Sequence, residues 1–291
     1  MTGAEEYEGA GPRALGVGPE PGPSGGISRR LLFGVGSGVV LAAAGAAAVL
    51  ETRGGGGEPA LPASPPFAAR FGRSGLVTNE YAYRSPHAPD AVNDPDWSVT
   101  SGSLFAKDGD GWTGRPDGGE TGADSARFTD SAVFRMVTRR RDFGDVEVRC
   151  AVRVGRPVTT ARTPLQDYDG GHVWLRYHSP EELYALSFRR RDGQVVIKRK
   201  VPAHDAAAAN GGDYATLAEA AHGFAYDTWH HIRASVENRS SGAVRLRLEI
   251  DGRAVLTADD HTPGPLRPPG GVGLRADNCE LTFRDFTTTS L

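Results

Sequence analysis

The central part of the chain alternates between apolar and polar residues with the two-residue period of β-strands. Residues 172–177, 183–190 and 194–200 each follow this pattern, and Asp192-Gly193 separates the last two. An Asp-Gly pair between two alternating segments is a strong signal for a β-hairpin. The pattern therefore predicts three consecutive antiparallel strands with one apolar face and one polar face.

The polar face of these strands carries the residues that we expect to bind a ligand. Trp174 lies between His172 and Arg176, because residues two apart on a strand point the same way. The next two strands add further basic side chains. The predicted ligand-binding residues are His172, Trp174, Arg176, Arg189, Lys198 and Lys200. A second candidate surface carries Trp229, His231 and Arg233.

Alternating segments continue on both sides of this region, at residues 145–154, 228–236, 244–250, 270–275 and 279–287. About ten short strands with no interleaved helices are typical of an all-β sandwich or barrel. The 39 glycines and 20 prolines fit a chain that has many turns and few helices. Only residues 216–221, within a long connection, predict a short helical turn.

Five short motifs carry a family resemblance. They are GGHVWLR from Gly170, DTWHHIR from Asp227, LEIDGR from Leu248, GVGLR from Gly271 and LTFRDF from Leu281. In this order they resemble the motifs of concanavalin A-like lectin/glucanase domains, which include laminin-G-like modules. The resemblance covers residues 133–287. It implies a jelly-roll β-sandwich of two antiparallel sheets, in which the concave sheet holds the ligand, often a glycan, and calcium often supports the loops.

The resemblance and the basic, Trp-containing face together favour a lectin-like, carbohydrate-binding protein. Aromatic rings stack on the apolar faces of sugars, and nearby polar groups fix their orientation. A Trp in a basic setting suits an anionic or acetylated polysaccharide. Two alternatives stay open: a polysaccharide-active enzyme, either a glycoside hydrolase or a lyase, and a module for protein adhesion at the cell surface. Binding requires no cofactor, and calcium is expected only through the resemblance.

The enzyme alternative has no recognised catalytic motif. Retaining glucanases need two facing carboxylates about 5 Å apart, and the Glu-x-Asp-x-x-Glu motif that carries them in this family is absent. The scattered Ser and His residues show no Ser-His-Asp order in the sequence. The candidates that are left for acid–base chemistry are His172 and Arg176 with a carboxylate such as Asp167 or Asp169.

Arg29 and Arg30 precede an uncharged apolar run that ends at Leu50. A basic pair before such a run resembles a bacterial twin-arginine export signal. The run is also long enough, at about 20 residues, to span a bilayer, so a retained membrane anchor is the alternative. Either interpretation predicts that the rest of the chain works outside the cytoplasm, either secreted or anchored to the cell membrane.

These features divide the chain into four parts. They are a disordered tail at residues 1–27, the signal or anchor at 28–50, a Gly/Pro-rich linker at 51–73 and the β-sandwich domain at 74–291. The formal net charge of −3 argues against a nucleic-acid binder. The two cysteines, Cys150 and Cys279, both fall on predicted core faces. They could form a disulfide in an oxidising compartment or stay as buried thiols.

Overall fold

The computed structural model describes residues 66–116, 133–159, 164–204 and 212–291. The predicted tail and the predicted signal or anchor lie outside these residues. Within them, the chain forms sixteen β-strands and one short α-helix, α1 (Glu80–Arg84). No helix in this described part is long and apolar enough to cross a membrane.

The strands form two antiparallel sheets. In spatial order, the seven-stranded sheet contains β11 (Asp213–Ala221), β10 (Gln194–Val201), β9 (Glu182–Arg190), β8 (Gly170–Ser179), β15 (Gly271–Asp277), β6 (Val133–Thr138) and β3 (Trp97–Ser101). The nine-stranded sheet contains β14 (Arg253–Asp260), β13 (Val244–Ile250), β12 (Trp229–Asn238), β7 (Val146–Val154), β16 (Leu281–Ser290), β5 (Asp110–Trp112), β4 (Ser103–Lys107) and β2 (Gly75–Asn79), and β1 (Phe67–Ala68) also pairs with β16. The predicted all-β sandwich is confirmed.

The hydrophobic core lies between the inner faces of the two sheets. Val148 and Val152 of β7 belong to it, together with Leu186 of β9 and Ile197 of β10, and all four are almost completely buried. Burying a side chain of this size contributes about 1.5–3 kcal/mol. The strict alternation predicted for β7 and β13 is confirmed, because every second residue of each strand is buried.

The folded domain begins earlier than residue 74. Phe67 is buried, pairs with Thr288 of β16 and packs edge-to-face on Trp97 at a ring-centroid distance of 5.3 Å. Part of the predicted linker therefore belongs to the sandwich. The predicted helical turn at residues 216–221 is also wrong, because this Ala-rich segment lies in β11 and pairs with β10. Strand pairing outweighs its helix propensity, as tertiary context often does.

The structure contradicts a disulfide between Cys150 and Cys279. Both thiols are buried and free. Leu281 pairs with Val154, which lies four residues or roughly 13 Å along β7 from Cys150, and Cys279 lies two residues before Leu281, beyond that end of the strand. A disulfide needs Cα atoms within about 7 Å of each other. Burial raises the pKa of both thiols, that of Cys150 to about 12.

We expect Ellman's reagent to react with neither thiol of the native protein and with two thiols per chain after unfolding in guanidinium chloride. The reason is that both sulfur atoms are buried and free, and the chain has only two cysteines. A disulfide would instead give no reaction in either state. An exposed thiol would react before the denaturant is added.

Candidate functional site

A cleft of about 550 Å³ lies on the outer face of the seven-stranded sheet. Its walls come from β6, β8, β9, β10, β11 and β15 and from the turns beside β8. Among the described residues, five cationic side chains line it, namely Arg135, Arg190, Lys198, Lys200 and Arg275, against one lining carboxylate, that of Glu181, while Arg190 also pairs with Asp192. The cleft is therefore strongly basic, although the whole chain carries a net charge of −3.

Four predicted ligand-binding residues line this cleft: His172, Trp174, Lys198 and Lys200. The sheet register brings them together. His172 pairs with Ser187, Trp174 pairs with Ala185, and Ala185 pairs in turn with Lys198. The two other predicted residues, Arg176 and Arg189, point elsewhere, and each is displaced by an irregularity in the strand that carries it.

Arg176 is buried at the end of the sandwich and not exposed in the cleft. Its backbone has φ 49°, and the pairing of β8 with β9 is irregular between Leu175 and Ser179. This conformation interrupts the alternation, so the side chain turns inward. Its guanidinium lies 2.8 Å from Asp145 Oδ1 and also donates to the carbonyl oxygen of Arg267. Arg176 therefore does not line the cleft with the other predicted ligand-binding residues.

Arg189 is turned away from the cleft by a bulge in β9. Gly171 pairs with Arg189 and His172 pairs with Ser187, so Phe188 is an extra residue on β9. A single extra residue reverses the faces that follow it. Arg189 consequently stacks over the ring of Tyr226 at 4.1 Å, and the next residue, Arg190, lines the cleft in its place.

Trp174 forms part of the cleft floor but is only 3% exposed. The irregularity at Arg176 turns Tyr177 to the same side, contrary to the predicted alternation. The two rings stack at a centroid distance of 5.5 Å and an interplanar angle of 17°. Most of the Trp174 ring is thus covered by protein, and this Trp is not an open platform for a sugar.

The exposed aromatic rings of the cleft belong to Tyr168 and Tyr214, which are 41% and 39% exposed. Two ammonium groups lie beside the ring of Tyr214, with Lys200 Nζ at 5.1 Å and Lys198 Nζ at 5.9 Å from its centroid. Cation–π attraction of this kind holds the ring next to the positive charges. The cleft therefore offers apolar ring faces and cations side by side.

A buried carboxylate lies beneath the basic face. Asp277 accepts two hydrogen bonds from Arg275, at 2.7 Å and 2.8 Å, and its Oδ2 lies 3.0 Å from His172 Nε2. Burial alone would raise the pKa of Asp277, but Arg275 and His172 hold it well below its usual range. On the other side of the ring, His172 Nδ1 lies 2.7 Å from Ser187 Oγ.

Arg135 lies directly opposite Arg275 in the sheet. Among the described residues, neither Arg135 nor Lys198 makes a hydrogen bond or an ion pair, and the Nε of Arg135 is buried without a partner. Burial, followed by the charge of Arg275, lowers the pKa of Arg135. The two positive charges face each other, and among the described residues Asp277 is the carboxylate that pairs with Arg275, so these side chains carry a surplus of positive charge.

The two lysines of the cleft, Lys198 and Lys200, both have lowered pKa values. Lys200 donates a hydrogen bond to the carbonyl oxygen of Pro180 at 2.8 Å. Burial, together with the charges of Arg135 and Arg275, lowers the pKa of Lys200 to about 8. The pKa of Lys198 is also lowered, first by burial and then by Arg190. An anion in the cleft would oppose these shifts.

The structure does not assemble the predicted acid–base set. His172 lies in the cleft, but Asp169 is buried beneath a turn, where it accepts hydrogen bonds from the backbone of Gln166 and from Asn278. Asp167 forms an exposed ion pair with Arg191. In the described residues, no group of three His, Cys, Asp or Glu side chains could hold a metal ion.

The second candidate surface is divided. The ring of Trp229 lies between the guanidinium groups of Arg153 and Arg284, at 5.3 Å and 4.2 Å from its centroid. His231 and Arg233 instead line a separate cavity of about 390 Å³ on the nine-stranded sheet. Trp229 is not among the residues that line this cavity.

No protein-family model matches this chain, and no curated protein matches it. Among solved structures, it is similar to the carbohydrate-binding module CBM66 from Bacillus subtilis, with 15% identity, a TM-score of 0.47 and coverage of 67% of this chain and 95% of the module. It is also similar to a protein of unknown function with a galectin-like fold from Bacillus subtilis, with 14% identity, a TM-score of 0.42 and coverage of 77% and 98%. An alginate lyase mutant in complex with an alginate trisaccharide shows 11% identity, a TM-score of 0.43 and coverage of 80% and 100%. We assign no function from likenesses of this size.

We expect Arg176→Met to lower the free energy of unfolding by about 3 kcal/mol, because it leaves the carboxylate of Asp145 and the carbonyl of Arg267 without this cation. Urea unfolding measures the change. Arg149→Met is the matched control, since Arg149 is 48% exposed where it pairs with Glu147, and its loss should cost less than about 1 kcal/mol. Equal losses for the two variants would contradict a structural role for Arg176.

Proposed function

We propose that this protein binds an anionic polysaccharide in the basic cleft of the seven-stranded sheet. The proposal rests mainly on Arg135 and Lys198, which line a cleft of about 550 Å³ and have no ion-pair partner among the described residues. Partly buried cations are unfavourable unless an anion lies close to them. A ligand carboxylate or sulfate would supply that anion through charge-assisted hydrogen bonds.

The aromatic rings favour a saccharide as the carrier of the negative charge. The exposed faces of Tyr168 and Tyr214 can stack on the apolar faces of sugar rings, while the lysines beside Tyr214 contact acidic substituents. The cleft volume lies within the range of about 300–1,000 Å³ that is common for small-ligand sites. The mixture of ring faces and charges suits a sugar acid better than a flat protein surface, so we do not favour the adhesion alternative.

We also propose that the protein acts outside the cytoplasm, either secreted or tethered to the cell membrane by residues 31–50. The support for this part is the resemblance of the segment after Arg29 and Arg30 to a twin-arginine signal. In this arrangement the linker would hold the cleft in contact with polysaccharide outside the cell.

We expect Lys198→Gln and Tyr214→Ala each to weaken the binding of an oligogalacturonate by about tenfold or more, because one removes a charged contact and the other a stacking surface. Isothermal titration calorimetry with the full-length chain measures the affinity. A neutral maltooligosaccharide of the same length should bind weakly to every variant. Added salt should weaken the binding of the acidic sugar.

Arg189→Gln is the matched control, since this variant also removes one positive charge from the same sheet, but the side chain points to Tyr226 and away from the cleft. Its affinity should match that of the unaltered protein. Equal losses for Arg189→Gln and Lys198→Gln would indicate a general effect of charge and would contradict the cleft as the binding site.

We expect the affinity for the oligogalacturonate to fall as the pH rises through about 8, because Lys200 in the free cleft loses its proton there while the ligand carboxylates stay ionised. Binding above this pH must then take up a proton, which costs up to about tenfold in affinity per pH unit. Calorimetry at pH 6.5 to 9.5 measures the slope. Lys200→Gln should bind more weakly and should lack this slope, and an unchanged slope in that variant would contradict the assignment.

A further inference from the structure

We propose that the cleft also contains a nucleophilic site, in which Ser187, His172 and Asp277 hydrolyse an ester such as an O-acetyl group carried on a saccharide. This inference rests on the proposed function for the saccharide that carries the ester. The three residues belong to three neighbouring strands, β9, β8 and β15. His172 pairs directly with Ser187 on one side and with Arg275 on the other, and Asp277 lies two residues beyond Arg275 on the same face.

The contacts follow the order that a serine nucleophile requires, which is hydroxyl, imidazole and carboxylate. Ser187 Oγ lies 2.7 Å from His172 Nδ1, and His172 Nε2 lies 3.0 Å from Asp277 Oδ2. The Nε2–H is not well aligned with the carboxylate oxygen. Such contacts in unliganded catalytic sites often become well aligned only when substrate binds.

The protonation states of Asp277 and His172 suit a carboxylate that orients the imidazole and an imidazole that accepts a proton from Ser187. Asp277 stays ionised, because Arg275 and His172 lower its pKa despite its burial, and an ionised carboxylate only accepts hydrogen bonds. Burial lowers the pKa of His172, so the imidazole is neutral at pH 7. With Asp277 facing Nε2, the proton of the neutral ring belongs on Nε2. The lone pair of Nδ1 then faces the Ser187 hydroxyl and can accept its proton.

Ser187 and His172 line the floor of the cleft, where they are 4% and 6% exposed, so a bound saccharide would meet this array only at the cleft floor. Val196 pairs with Ser187, so Lys198 is a diagonal neighbour of the serine on the same face. Lys198 lines the same cleft and makes no ion pair among the described residues. It is a suitable group to stabilise the negative oxygen that forms when an ester carbonyl is attacked.

The reaction would proceed in two balanced steps. Ser187 Oγ attacks the ester carbonyl carbon while its proton passes to His172 Nδ1, and the intermediate then breaks the bond to the sugar oxygen, which receives that proton. Water next attacks the acyl-serine, gives one proton to His172, and releases the carboxylic acid. His172 returns this proton to Ser187 Oγ, so the enzyme is regenerated and one water is consumed.

The same contacts would also serve a purely structural network that links three strands, and the reactivity of Ser187 distinguishes the two roles. The first experiment treats the full-length chain with a fluorophosphonate probe and locates the label by peptide mass spectrometry, alongside hydrolysis of 4-nitrophenyl acetate. We expect the label on Ser187 and loss of both signals in Ser187→Ala. His172→Gln should lower the labelling rate by about 100-fold or more. Labelling of Ser187 no faster than that of exposed serines would overturn the inference.

A second measurement does not depend on whether the His172 variant folds. In Ser187→Cys, the introduced thiol would lie beside His172, and an adjacent imidazole lowers a thiol pKa. We expect iodoacetamide to alkylate this thiol at pH 6 far faster than a free cysteine. The natural thiols give little background, because Cys150 and Cys279 are buried with raised pKa values. Alkylation that follows an ordinary thiol pKa near 8.5 would count against the proposal.

Binding measured on the same preparations separates the two proposals. If Ser187→Ala binds the oligogalacturonate and Ser187 of the unaltered protein is unreactive, the proposed binding function stands. The same result would contradict the proposed esterase activity. A reactive Ser187 in a protein that binds no acidic oligosaccharide would support the nucleophilic site and would show that the proposed ligand is wrong.

Discussion

The buried carboxylate of Asp277 is the charge on which the arrangement of the cleft depends. A buried ion is tolerated only when opposite charge and hydrogen bonds surround it, and Arg275 supplies both, while His172 Nε2 lies 3.0 Å from the same carboxylate. This requirement fixes the ring of His172 and therefore the direction in which its other nitrogen faces. It also occupies Arg275, so that Arg135, opposite Arg275 in the next strand, has no carboxylate of its own in the part of the chain that the structure describes.

Burial of the apolar core offsets the unfavourable free energy of the basic outer face. The inner faces of both sheets are filled by closely packed Val, Leu, Ile and Phe side chains, whose burial offsets the repulsion among the basic groups on the outside. Proteins commonly keep such local destabilisation where a ligand binds. The cationic side chains of the cleft are then preorganised to bind an anion. Binding requires little reorganisation of the strands that carry them.

The period of two was enough to predict the sandwich and to place His172, Trp174, Lys198 and Lys200 on one face. It failed at Arg176 and Arg189, because a positive φ at a non-glycine residue and one extra residue at Phe188 leave no recognisable mark in the pattern. Arg135, Arg275 and Asp277 were missed for another reason. They alternate correctly in their own strands, but only the register of β6 and β15 beside β8 shows that they meet.

The position of β16 has a consequence for how the protein is made. This strand comes from residues 281–290, yet it lies in the middle of the nine-stranded sheet, between β7 and β5, and it also pairs with β1. Until those residues leave the ribosome, β7 has an open edge and the early strands have no neighbour that joins them to it. Pairings this distant in sequence form slowly. The nascent chain therefore exposes unpaired strand edges until β16 has been made, and its yield in a cell depends on how well that interval is protected from aggregation.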